Sequence, residues 1–140
     1  MNNENLYLPK RRVGLFIFIA AVVVIALAIG FVLRQKQKSE LKVFGNTFMT
    51  ALVQPDAQTT YDMLSENLKQ GEDTLEGWSE NLALALGGKE ATFELEHVGI
   101  WPSRVSYLVS LNDGKSFSMH LVVVKEKDAL KIGEYNTQEQ

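Results

Sequence analysis

The chain has 140 residues, a formal net charge of −3 and no cysteine, so disulfides and thiol chemistry are excluded. The charge is uneven: residues 1 to 12 carry three positive charges and one negative, residues 34 to 42 four and one, and residues 43 to 140 seven against fifteen. An acidic portion behind basic collars has the wrong sign for a phosphate backbone, so no nucleic-acid partner is expected.

In chain order, residues 1 to 12 form a short tail, of which Met1 to Pro9 is polar, Asn-rich and expected to be disordered. Val13 to Leu33 follows, twenty-one residues without a charge or a side-chain hydrogen-bonding group. At about 1.5 Å per residue this run spans roughly 31 Å as a helix, the thickness of a bilayer's hydrocarbon core. Lys10, Arg11 and Arg12 close it on one side and Arg34, Lys36 and Lys38 on the other, where they can reach lipid phosphates. A cleaved signal has a shorter apolar run, and the candidate small-residue sites at Ala26 to Gly30 lie inside the run, with Phe31, Val32 and Leu33 after them. The reading is an uncleaved single-pass anchor. Counts of Lys and Arg at the two ends are nearly equal, so the contiguous basic cluster before the span sets the expected topology: N-terminus cytoplasmic, C-terminal domain external. No G-x-x-x-G pairing motif occurs, only the looser Ala21, Ala26, Ala28 and Gly30.

Residues 34 to 42 read as a basic juxtamembrane helix or linker, and 43 to 136 as one small domain with a polar tail at 137 to 140. From Leu41 the apolar residues Phe44, Phe48, Met49, Leu52 and Val53 recur on one helical face, and Pro55 ends the helix near Gln54. Gly45 is a blemish there unless close packing requires it. Asp56 is the expected N-cap of a second helix with the stripe Ala57, Tyr61, Leu64 and Leu68, stopped by Gly71. A third begins at Asp73 with the stripe Leu75, Trp78, Leu82 and Leu86 before Gly87-Gly88. Helices this short need a sheet to dock on.

The period then changes from 3.6 to 2. Thr92 to Ile100 alternates with a slip near His97 that predicts a bulge. Arg104 to Leu111 and Ser116 to Val124 form a hairpin whose register follows from parity. With Asn112-Asp113-Gly114 as a three-residue loop, Tyr107 faces Met119, Val109 faces Phe117 and Val105 faces Leu121; a two-residue loop would set the apolar sets on opposite faces. His120 then lies opposite Ser106. A last strand, Ala129 to Tyr135, follows the charged turn Lys125-Glu126-Lys127-Asp128. The fold class expected is α+β: a transmembrane helix, then about three helices on a curved antiparallel sheet of about four strands.

Phe48-Met49-Thr50-Ala51-Leu52-Val53, then Pro55-Asp56-Ala57 leading into Tyr61-Asp62-Met63-Leu64-Ser65, resembles the opening of nuclear transport factor 2-like, or cystatin-like, cone domains. The hairpin Leu111 to Lys115 and the closing Leu130-Lys131-Ile132-Gly133-Glu134-Tyr135 are similar to their end. The resemblance covers residues 41 to 136 and implies a cone pocket between helices and sheet. Membrane-anchored members of this shape serve as extracytoplasmic accessory or assembly domains.

Chemistry is sparse. The two histidines, His97 and His120, fall on different strands with no cysteine to complete a metal site, so neither a metal nor a cofactor is expected. Glu94 and Glu96 read as the solvated side of a strand, and Gly87-Gly88-Lys89 as a helix stop rather than a phosphate loop. The pocket candidates are Trp78, Trp101, Tyr107 and Met119. The function expected is a non-catalytic interaction or envelope-assembly module whose partners are the bilayer and other membrane or envelope proteins, or a second copy of itself. The alternatives are a small apolar ligand in the cone, or an enzyme using His97 or His120.

Overall fold

A computed structural model describes the backbone of residues 10 to 72 and 74 to 139, and side chains of residues 14 to 70 and 74 to 139. The expected tail before Lys10, and the side chains of Lys10, Arg11 and Arg12, lie outside the described residues. The chain divides into two compact units, Met1–Lys36 and Gln37–Gln140.

Helix α1, Lys10–Val53, runs 44 residues without interruption across that division. In its first part every large apolar side chain from Leu15 to Leu33 is 49% to 70% exposed to the surroundings. It is the one described helix long and apolar enough to cross a membrane, and it fits a single-pass anchor. Arg34, Lys36 and Lys38, just after the apolar run and still within α1, are exposed.

The second unit is α+β, as the change of period predicts. From Leu41 the helix buries one stripe, Leu41, Phe48, Met49, Ala51 and Leu52. Helix α2, Ala57–Asp62, starts at Asp56, whose carboxylate accepts from the Thr59 amide at 3.0 Å. That hydrogen bond holds the Asp56 carboxyl below its usual range. The expected single second helix is broken: Met63 to Ser65 leave it, and α3, Glu66–Glu72, begins anew, passing through Gly71 instead of stopping there. The cause is tertiary. The Ile132 amide donates to the Met63 carbonyl and the Ser65 amide to the Ile132 carbonyl, both at 2.8 Å, so this stretch pairs with a sheet edge in place of its own helix. Ser65 then caps α3, its hydroxyl accepting from the Leu68 amide at 3.3 Å. Helix α4, Leu75–Leu86, is capped by Thr74 rather than by Asp73, which lies outside the described residues. Gly87, at φ +56°, ends it in the left-handed conformation.

Four strands, β1 Ala91–Ile100, β2 Ser103–Leu111, β3 Ser116–Glu126 and β4 Ala129–Glu139, form an antiparallel meander in chain order. The β2–β3 register is the one parity requires, with Tyr107 opposite Met119, Val109 opposite Phe117 and Val105 opposite Leu121. Gly114, at φ +87°, closes the three-residue loop. The slip in β1 is a bulge between Leu95 and His97, which keeps Leu95 and Val98 on one face. A second bulge at Gly133 does the same for Ile132 and Tyr135 in β4. A Cβ on Gly133 would strike the Val124 side chain, which explains the residue chosen there. β4 is longer than the expected strand Ala129 to Tyr135: Asn136 pairs with His120, and Thr137 to Glu139, expected as tail, pair with Phe117 to Met119.

The core lies between the inner sheet face and the helices. Phe48, Met49, Tyr107, Val105, Val109, Leu121 and Ile132 are all fully buried in it. Gly45 sits against the Tyr107 ring, where any Cβ would collide with the hydroxyl and with Val105. Close packing is therefore the reason for a glycine inside the helix.

Candidate functional site

A meander places alternate turns at one end, and here the β1–β2 and β3–β4 turns share the end next to Gln37, Glu40 and Leu41 of α1. Between them lies an open groove of about 750 Å³, walled on its apolar side by Leu41, Ile100, Trp101, Val122, Val124 and Leu130. Trp101 forms the tip of the β1–β2 turn, joined to Pro102 by a cis peptide bond. Its side chain is 95% exposed. The β3–β4 turn is a two-residue reversal at Lys127 and Asp128, both at positive φ (48° and 66°), the conformation that matches the twist of a tight hairpin. Lys125 in its arm lies 3.7 Å from the Asp128 carboxylate. The end of the groove therefore carries one large aromatic and both signs of charge.

Of the four residues proposed from sequence to line a pocket, three come together and one does not. Trp78, Tyr107 and Met119 belong to the same buried cluster. The Trp78 indole N–H donates to the Thr60 hydroxyl at 2.8 Å, and its ring meets Tyr135 edge to face at 5.8 Å. The Tyr107 hydroxyl donates to Asn46 Oδ1 at 2.9 Å, and its ring meets Phe93 edge to face at 5.6 Å. Burial pushes the Tyr107 phenol above its usual range, because the phenolate would be desolvated. These side chains pack against protein neighbours. Trp101 stands apart from them, at the turn.

The titratable residues weighed for catalysis lie on the other face of the sheet. His97 is exposed beside the β1 bulge. His120 is half-buried opposite Ser106, and the Ser106 hydroxyl lies 2.7 Å from His120 Nδ1. Next to it on β3, the Ser118 hydroxyl donates to the Glu96 carboxylate at 3.5 Å. A serine next to a histidine is the start of a nucleophile and base pair. An acyl-transfer site also needs amides free to hold an oxyanion, and both residues sit on central strands whose amides are committed to the ladder. Among the described residues no group of three or more metal-capable side chains occurs.

Sequence reasoning missed the polar ties that fix this arrangement. Thr60 and Ser65 are almost fully buried and satisfied, Thr60 by Trp78 and by the Asp56 and Ala57 carbonyls. At the far end of the sheet Lys89 pairs with Asp113. That hydrogen bond, aided by the Lys115 amide, draws the Asp113 carboxyl below its usual range. Ser65 followed by Glu66 is a capping signal visible in the sequence, whereas the partners of Thr60 and Asn46 lie far along the chain. No family model, no curated protein and no solved structure matches this chain.

Proposed function

We propose that the chain is a single-pass membrane protein whose C-terminal unit, of the nuclear transport factor 2-like cone type, faces outside the cytoplasm and acts as a non-catalytic interaction or envelope-assembly module. The observation that carries this reading is the filled interior: Phe48, Tyr107, Met49 and Leu121 occupy the space between helices and sheet where a cone domain would receive a ligand. Recognition is then left to the outer surface, where Leu84 on α4 is 79% exposed, an apolar side chain standing outward on a domain whose core is already complete. The basic cluster at Lys10, Arg11 and Arg12 supports a cytoplasmic N-terminus.

Topology is tested by protease treatment of intact and selectively opened cells carrying a C-terminal tag. Digestion once only the outer compartment is accessible is the expected result; protection until the inner membrane is broken overturns the external placement. A photo-crosslinker at Leu84 tests the module reading. Discrete protein adducts are expected, and a chain that instead carries a small molecule by native mass spectrometry sinks it in favour of ligand binding.

A further inference from the structure

We propose that the β1–β2 turn is a second membrane contact, with Trp101 seated in the headgroup interface of the bilayer that the apolar part of α1 fits. The exposed indole is the first observation. The other described aromatics of the second unit, among them Phe48, Trp78, Phe93, Tyr107 and Tyr135, are buried or half-buried, while Trp101 is 95% exposed. Leaving so much apolar surface in water forgoes free energy that a covering apolar phase would return. Trp101 can be covered without reorganising the domain, because it projects from a two-residue turn.

The second observation says what covers it. Within the second unit the turn shares its groove with Gln37, Glu40 and Leu41. Gln37 is four residues after Leu33, the last residue of the apolar run. Four residues reach no further than about 14 Å even when fully extended, and about 6 Å as helix. The polar layer beyond each side of the hydrocarbon is itself roughly 5 to 8 Å deep. As the helix it forms in α1, that stretch keeps Gln37 within the polar layer, and the groove end of the unit that carries Trp101 starts from there.

The third is chemical fit. An indole has an apolar body and one N–H donor, and it settles where one side is hydrocarbon and the other is wet. Exposed Lys125 and Lys127 in the neighbouring turn, with Arg104 at the foot of β2, supply cations that can reach lipid phosphates. The occupant inferred is therefore the lipid interface of the protein's own bilayer. The proposal rests on the membrane-anchor reading of α1 and is independent of which way the chain is oriented, since the turn meets whichever leaflet lies next to Gln37.

The test uses the full chain reconstituted into phosphatidylcholine vesicles, with and without lipid brominated near the glycerol end of its acyl chains. The chain has two tryptophans, so brominated lipid is expected to remove about half of the wild-type emission and little of that of Trp101→Phe. Aqueous acrylamide should spare the same component. Emission of Trp101 quenched by acrylamide and untouched by brominated lipid, in a chain that floats with the vesicles, overturns the contact while leaving the anchor intact. Failure to float overturns the anchor, and the contact with it.

Discussion

Helix α1 contains two regions that obey the same backbone geometry and solve different solvation problems. Between Leu15 and Leu33 the apolar side chains point in every direction and stay exposed; between Leu41 and Leu52 all but Val43 fall on one stripe that packs into the core. An all-round apolar helix has no preferred face, so only a surrounding apolar phase can satisfy it. A one-sided helix is satisfied by a sheet. The comparison teaches that the number of apolar faces, more than helical propensity, decides which environment each part of this helix needs.

Substitutions in the two regions should therefore fail in different assays. Phe48→Ala, in the one-sided region, is expected to cost about 3–5 kcal/mol of domain stability, read by urea unfolding of the full chain in micelles through Trp78 emission, with membrane association retained. Val24→Arg should do the reverse. A charge at mid-span costs about 2.5–3.5 kcal/mol of insertion free energy, seen as a shift from the carbonate-resistant to the extractable fraction, while the micelle-bound domain unfolds at the wild-type urea concentration. Equal loss in both assays for either variant would break the distinction.

Gly45→Ala sharpens it inside the buried stripe. Overpacking against Tyr107 and Val105 costs about 1–3 kcal/mol and outweighs the gain of up to about 1 kcal/mol in helix propensity. Adding Tyr107→Phe removes the hydroxyl that the new methyl meets, so the double variant should lose less stability than the sum of the two singles.

The same tyrosine makes the domain sensitive to alkali. Its phenol titrates near 10 when unfolded and higher when folded, so the folded state holds its proton longer. The contribution is complete below about pH 10 and is lost as pH rises above it, at about 1.4 kcal/mol per pH unit until the folded group also ionises. Stability measured against pH should lose that slope in Tyr107→Phe; an unchanged slope would assign it to other groups. The smallest effect is expected at Val43→Lys, on the exposed side of the helix beside the buried stripe, where unfolding should move by no more than about 0.5 kcal/mol.

Local pattern carried much of the architecture. Twenty-one uncharged apolar residues define the span by length alone, and the caps at Asp56 and Gly87 and the three-residue loop with Gly114 follow from turn chemistry. The pairing of Ser106 with His120 and of Tyr107 with Met119 follows from parity, because a one-residue slip would send the apolar set to the wrong face. What sequence could not supply were the pairings made at long separation. The break at Met63 to Ser65 exists because Ile132, nearly seventy positions away, offers backbone partners that a local helix signal cannot foresee. Asn136 to Glu139 extend β4 for the same reason, polar residues ordered by a neighbouring strand. Gly45 looks like a defect until Tyr107 is set against it, and Trp101 reads like any loop aromatic until its turn is found beside Gln37. Sequence by itself determined which segments are apolar on one side, on alternate sides or on all sides, since periodicity is a property of the local chain. Tertiary structure decided which of those faces are covered and which remain open, since coverage depends on residues brought together from far apart.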